Sequence, residues 1–136
     1  MDLRGFMNTV LVVEDNPTNW QIFRKILTKR GGFNAQHSEN VEEVMHLASS
    51  RQADVILMDV CLDNSFYEGK PINGIEITKM LKADPKTANV PIILVTALGT
   101  ENDAEHFIKI SGADGYIAKP VMDYHEFIAR IKAKIA

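Results

Sequence analysis

Three unbroken apolar runs constrain this chain more than anything else in it: Val-Leu-Val-Val at 10–13, Val-Ile-Leu-Met at 55–58 and Ile-Ile-Leu-Val at 92–95. A strand with one wet face alternates apolar and polar residues, so runs without alternation fit strands buried on both faces of a parallel sheet. Two weaker strand patterns, at 33–37 and 115–118, fall between helical ones. Helix signals fill the gaps. Asn16-Pro17 supplies a cap and a first-turn proline ahead of Trp20, Phe23 and Leu27, and Gly31-Gly32 stops that helix. Asn40 with Glu43, and Asp123 with Glu126, have the spacing of capping boxes ahead of apolar residues at helical intervals. Ile77, Met80 and Leu81 mark a helix over 74–81, and Phe107 with Ile108 one over 102–110. Strand then helix, five times over, predicts an α/β chain with a doubly wound, five-stranded parallel sheet, (βα)5, connected by right-handed crossovers.

Composition bounds the function. At 136 residues with 46% hydrophobic and 24% charged residues, the chain is one ordinary globular domain. No apolar run approaches the roughly 20 residues a membrane span needs, and residues 1–9 lack the apolar centre of a secretory signal. A single cysteine, Cys61, excludes an internal disulfide framework and fits a reducing, cytoplasmic setting. The net charge of -3, with basic residues spread along the chain, gives no electrostatic case for direct nucleic-acid or membrane binding. Nor do the four histidines, His37, His46, His106 and His125, have metal-ligand spacing.

In doubly wound sheets the binding crevice lies beyond the carboxyl ends of the strands. Reading the residues just past each run gives Glu14 and Asp15, then Asp59, then Thr96, then Lys119. Three carboxylates in one pocket repel one another unless a cation joins them. Oxygen donors without histidine or thiolate favour a hard divalent ion, and few protein carboxylates with room for water and phosphate oxygens suit Mg2+ over Ca2+. Thr96 and Lys119 add a hydroxyl and a point charge, which a phosphoryl group would need. Asp59 stands alone at the tip of the central run and is the candidate nucleophile toward phosphorus, forming an acyl phosphate.

The set Val12-Val13-Glu14-Asp15-Asn16, Val55 through Asp59, Ile92 through Ala97 and Ala118-Lys119-Pro120 resembles the receiver domain of bacterial two-component response regulators, across nearly the whole chain. That resemblance implies the flavodoxin-like, CheY-like strand order 2-1-3-4-5. It implies that Asp59 is phosphorylated by a histidine kinase, a phosphotransfer protein or a small phosphodonor, with Asp15 binding Mg2+ directly, Glu14 mainly through water, and the backbone carbonyl of Cys61 as a further ligand. Thr96 would swing toward the phosphoryl group, Lys119 would pair with it, Tyr116 would move with Thr96, and the Lys119-Pro120 bond would be cis. Cys61 and Leu98 would flank the phosphoryl group and tune hydrolysis. Neither side chain can activate water as a carboxylate could, so self-dephosphorylation is expected to be slow.

Two departures stand out. Gly74, which opens the third helix, lies 15 residues beyond Asp59, and the extra segment 63–70 contains Phe66 and Tyr67. As a surface excursion it costs little loop entropy; as a functional feature its aromatics would contact a partner or cover the pocket. Residues 1–8 read as a short leader, 9–136 as the receiver, and no output domain follows, so output is expected from contacts near Tyr116, in a monomer or a phosphorylation-dependent dimer. The leading expectation is a stand-alone, non-enzymatic switch. A receiver excised from a hybrid kinase or larger regulator has the same sequence. A Mg2+-dependent phosphatase with an aspartyl nucleophile would carry a second acid where Cys61 stands, and a flavodoxin-like cofactor binder would carry a phosphate loop where Glu14 and Asp15 stand.

Overall fold

A computed structural model of the protein describes residues 8–62, 65–97 and 101–135, with the side chains of 101 and 102 left aside. The expected leader, Leu98 and the start of the insertion at 63–64 therefore lie outside the described residues, apart from Asn8. Strand β1 (Thr9–Val13) is followed by α1 (Pro17–Lys25), which runs on through a π-helical turn at Ile26–Arg30, then β2 (Asn34–Ser38) and α2 (Val41–Ser49). Next come β3 (Val55–Asp59), a hairpin of β4 (Phe66–Tyr67) and β5 (Lys70–Pro71), α3 (Gly74–Ala83), β6 (Ile92–Ala97), α4 (Glu101–Ser111), β7 (Gly115–Lys119) and α5 (Tyr124–Ile135).

The main sheet is ordered β2-β1-β3-β6-β7, all pairs parallel. Counted among its own five strands, this is the expected order 2-1-3-4-5. The three apolar runs are the three inner strands, buried throughout. Because side chains alternate across a strand, each run feeds two cores. Leu11, Val13, Ile56, Met58, Ile92 and Leu94 pack against Val41 and Val44 of α2 and Ile77 and Leu81 of α3. Val10, Val12, Val55, Leu57, Ile93 and Val95 pack against Phe23 of α1 and Phe127 and Ile131 of α5.

The predicted caps are in place. Asn16 accepts from the backbone N–H of Thr18 and Asn19, Asn40 from Glu43, and Asp123 from Glu126. β2 begins and ends one residue later than its sequence pattern suggested. Phe33 lies in the α1/α5 core rather than in the strand, because the edge strand takes its register from β1, Thr9 opposite Asn34. No helix among the described residues is long and apolar enough to cross a membrane.

The inserted segment is ordered into a hairpin. Glu68 and Gly69 both have positive φ, 52° and 81°, as a tight two-residue turn requires. Its flanks are anchored rather than loose. Val60, Leu62 and Ile72 are buried in the α2/α3 core, and Ser65, also buried, donates its hydroxyl to the carbonyl of Glu39.

Candidate functional site

Strand parity decides which polar side chains meet. Asp59 ends β3 in phase with Val55 and Leu57, Glu14 follows β1 in phase with Val10 and Val12, and Lys119 ends β7 in phase with Ile117. All three share the sheet face that carries the α1/α5 core. They meet at the carboxyl ends of their strands. Lys119 Nζ lies 3.2 Å from Asp59 Oδ2 and 3.7 Å from Glu14 Oε1. The backbone N–H of Cys61 donates to Asp59 Oδ1 at 3.0 Å. Glu14, Asp15 and Asp59 each offer a carboxylate oxygen, all within 4.8 Å of one another.

Glu14 is the unusual member. Its side chain is 1% exposed, yet neither carboxylate oxygen has a hydrogen-bond partner among the described residues. Burial and the adjoining Asp59 push its carboxyl up to about 8, with Asn19 and Lys119 partly opposing. A buried carboxyl with unmet oxygens beside two others is a site short of positive charge.

The remaining predicted residues divide. The cysteine at 61 has an exposed side chain, and its main chain lies against Asp59. Thr96 and Tyr116 lie on the opposite sheet face: Thr96 is in phase with Ile92 and Leu94, and Tyr116 packs against the α2/α3 core. The Thr96 hydroxyl donates to the carbonyl of Ala97 at 3.2 Å. Both line a cavity of about 340 Å3 that also contacts Asp103, Met122 and Arg130. The Lys119-Pro120 bond is cis. Phe66 is 55% exposed on the hairpin, whereas Tyr67 is partly buried against the core, so only one of the two aromatics is presented to solvent.

Two residues matter more here than the sequence reading gave them. A Cβ on Gly74 would stand 2.0 Å from the carbonyl oxygen of Asp59, so only glycine lets α3 start against the backbone of that aspartate. The imidazole of His37, read from sequence as one of four scattered histidines, bonds the carbonyl of Glu14. No sequence signal marks that contact, since it depends on the register of β2 against β1.

The sequence and the fold both have known counterparts. The family model described as the response regulator receiver domain matches residues 10–132. The polar-differentiation response regulator DivK of Brucella anthropi is 34% identical over 125 residues, covering 92% of this chain and 94% of its own. Among solved structures, a putative response regulator from Chloroflexus aurantiacus superposes with a TM-score of 0.79 at 25% identity, covering 95% of this chain and 98% of its own. The receiver domain of a sensor histidine kinase from Pseudomonas aeruginosa PAO1, solved with a magnesium ion coordinated in its active-site cleft, gives 0.77 at 26% identity, with the same coverage of 95% and 98%.

Proposed function

The chain belongs to the response regulator receiver family, and on that premise we propose that it is a cytoplasmic switch in which Asp59 accepts a phosphoryl group in a Mg2+-dependent step and thereby changes affinity for a protein partner. The observation that carries the reading is the meeting of Asp59, Lys119 and the unmet, buried carboxyl of Glu14 at the strand ends. The same carboxylates fit a hard divalent ion. Asp15 and Asp59 would hold it, with Glu14 acting through water and the carbonyl of Cys61 completing the protein ligands. Bound there, Mg2+ supplies charge neutralisation for the phosphoryl oxygens.

The chain's own groups do the rest. One Asp59 oxygen forms the new P–O bond as the P–N bond to the donor's phosphohistidine breaks, and the donor imidazole takes up a proton. Lys119, already 3.2 Å from Asp59, offsets charge on the transferred group. Thr96 exchanges its bond to the Ala97 carbonyl for one to the phosphoryl group, and the vacated space lets Tyr116 move inward. These are the two arrangements of one switch element, and the cavity beside Tyr116, Met122 and Arg130 is where a partner reads them. With no acid at Cys61 or Leu98, the acyl phosphate is hydrolysed slowly, so the domain is a regulator rather than a phosphatase. Residues 9–136 serve as the receiver unit.

The test is incubation with acetyl phosphate and Mg2+, read by intact mass, with Asp59→Asn alongside. One phosphoryl adduct is expected on the wild-type protein and none on the variant. An adduct that persists in Asp59→Asn places the acceptor elsewhere and overturns the reading.

A further inference from the structure

The β1-to-α1 corner is contacted by a side chain of β2, His37. The ladder between β1 and β2 ends at Val13 opposite Ser38, so the next carbonyl, that of Glu14, has run past its strand partner. The side chain of His37 reaches it, with Nε2 at 2.5 Å from the oxygen. A carbonyl only accepts, so Nε2 carries the proton. The indole of Trp20 stacks on the same imidazole, with ring centroids 4.9 Å apart and planes at 19°. Trp20 in turn donates its backbone N–H to the carbonyl of Asn16 at 3.0 Å, and Asn16 caps α1. One side chain from β2 thus closes the backbone from Glu14 to Trp20 into a ring.

We propose that His37 is a positioning residue for the acidic pair. By holding the Glu14 carbonyl it sets the direction in which Glu14 and Asp15 leave the backbone toward Asp59, so divalent-cation affinity depends on a side chain that touches no cation. The claim rests on the Mg2+-dependent reading above. A packing role for His37 would require only its ring against Trp20, whereas positioning requires the N–H donor. That difference is measurable.

His37→Phe keeps a ring on Trp20 and removes the donor; His37→Gln restores an N–H at nearly the reach of Nε2. Mg2+ affinity is read by calorimetry, and amide hydrogen exchange across residues 14–20 is read on the metal-free protein. His37→Phe is expected to weaken Mg2+ about tenfold and to speed exchange at the corner, and His37→Gln to recover most of both. Trp20→Phe, which leaves the donor in place, is expected to keep Mg2+ affinity near wild type, and serves if His37→Phe does not fold. Wild-type affinity and exchange in His37→Phe overturn the proposal, as does His37→Gln behaving like His37→Phe, or Trp20→Phe losing Mg2+ affinity. Wild-type protein that binds no Mg2+ overturns the functional reading, and this inference with it, which separates that failure from the others.

Discussion

The two connections that leave the neighbouring strands β1 and β3 are built on opposite principles. From β1 the chain turns in three residues, Glu14, Asp15 and Asn16, and every turn of it is held: the Asn16 side chain caps α1, and His37 holds the Glu14 carbonyl. From β3 it wanders from Val60 to Asn73 through a hairpin before α3 begins. Hydrogen bonds hold the first connection at Glu14 and Asn16. Burial holds the second through Val60, Leu62, Ser65 and Ile72, with Tyr67 half-buried against the core and Gly74 against the Asp59 backbone. Where charges must be aimed, the chain is short and its backbone is held; where it must only return to α3, it is long and reaches out to an exposed turn at Glu68-Gly69.

The comparison is broken most forcefully at Gly74. Gly74→Val is expected to cost more than about 3 kcal/mol, because the nearest atoms are backbone and cannot swing aside. It should also slow phosphorylation of Asp59 in whatever fraction folds. Thermal unfolding together with the acetyl phosphate assay checks both, and a mild effect would mean that this end of the long connection is as yielding as its exposed turn.

Next comes Glu14→Gln. In the metal-free folded protein Glu14 keeps its proton up to about pH 8, against 4.5 for the ordinary group. The folded state therefore binds more protons between those values, and stability falls as pH rises through that window. Removing the charge should flatten the slope and stabilise metal-free protein above pH 8 by on the order of 2 kcal/mol, while weakening Mg2+. Wild-type Mg2+ affinity should itself rise with pH up to about 8, with proton release visible as a buffer dependence of the binding enthalpy. An unchanged pH–stability curve in the variant would remove Glu14 as the strained group of the tight corner.

Smaller effects sharpen the contrast. Asn16→Ala should cost about 1 kcal/mol as a lost cap, measured by urea unfolding. Phe66→Ala, at a side chain 55% exposed, should stay within about 0.5 kcal/mol of wild type, with any consequence confined to phosphotransfer from a kinase or to partner binding. If Phe66→Ala cost as much as Asn16→Ala, the hairpin would be as integral as the corner.

Much of this was legible in the sequence, for physical reasons. Continuous apolar runs at 10–13, 55–58 and 92–95 can only be satisfied by burial on both faces, and the polar residues that follow them must emerge at one edge of the sheet. Asn16, Asn40 and Asp123 announce their helices through local hydrogen bonds that need no tertiary context. The cis bond before Pro120 agrees with the family resemblance. What sequence could not give depends on register or on distance across the fold. The His37 contact exists because β2 pairs with His37 opposite Val12, which brings its ring to the Glu14 carbonyl. The bond of the Thr96 hydroxyl to the Ala97 carbonyl is likewise one that no sequence pattern marks. The hairpin turn at Glu68-Gly69 lacks the Asn-Gly or Asp-Gly pair that marks such turns in a sequence, and from sequence the segment reads equally as a surface excursion or a partner contact.

Parity has a further consequence, for how such a domain tolerates change. Adding one residue inside β1 or β3 would turn Glu14 or Asp59 through the sheet to the side of Thr96, so a single-codon insertion there erases the site outright. The same insertion at the exposed hairpin turn, Glu68-Gly69, would leave Cys61 and Gly74 in place against Asp59. Chain length upstream of the chemistry comes in steps of two, and downstream of it is nearly continuous, which makes the hairpin the place where new sequence can be trialled while the reaction stays intact.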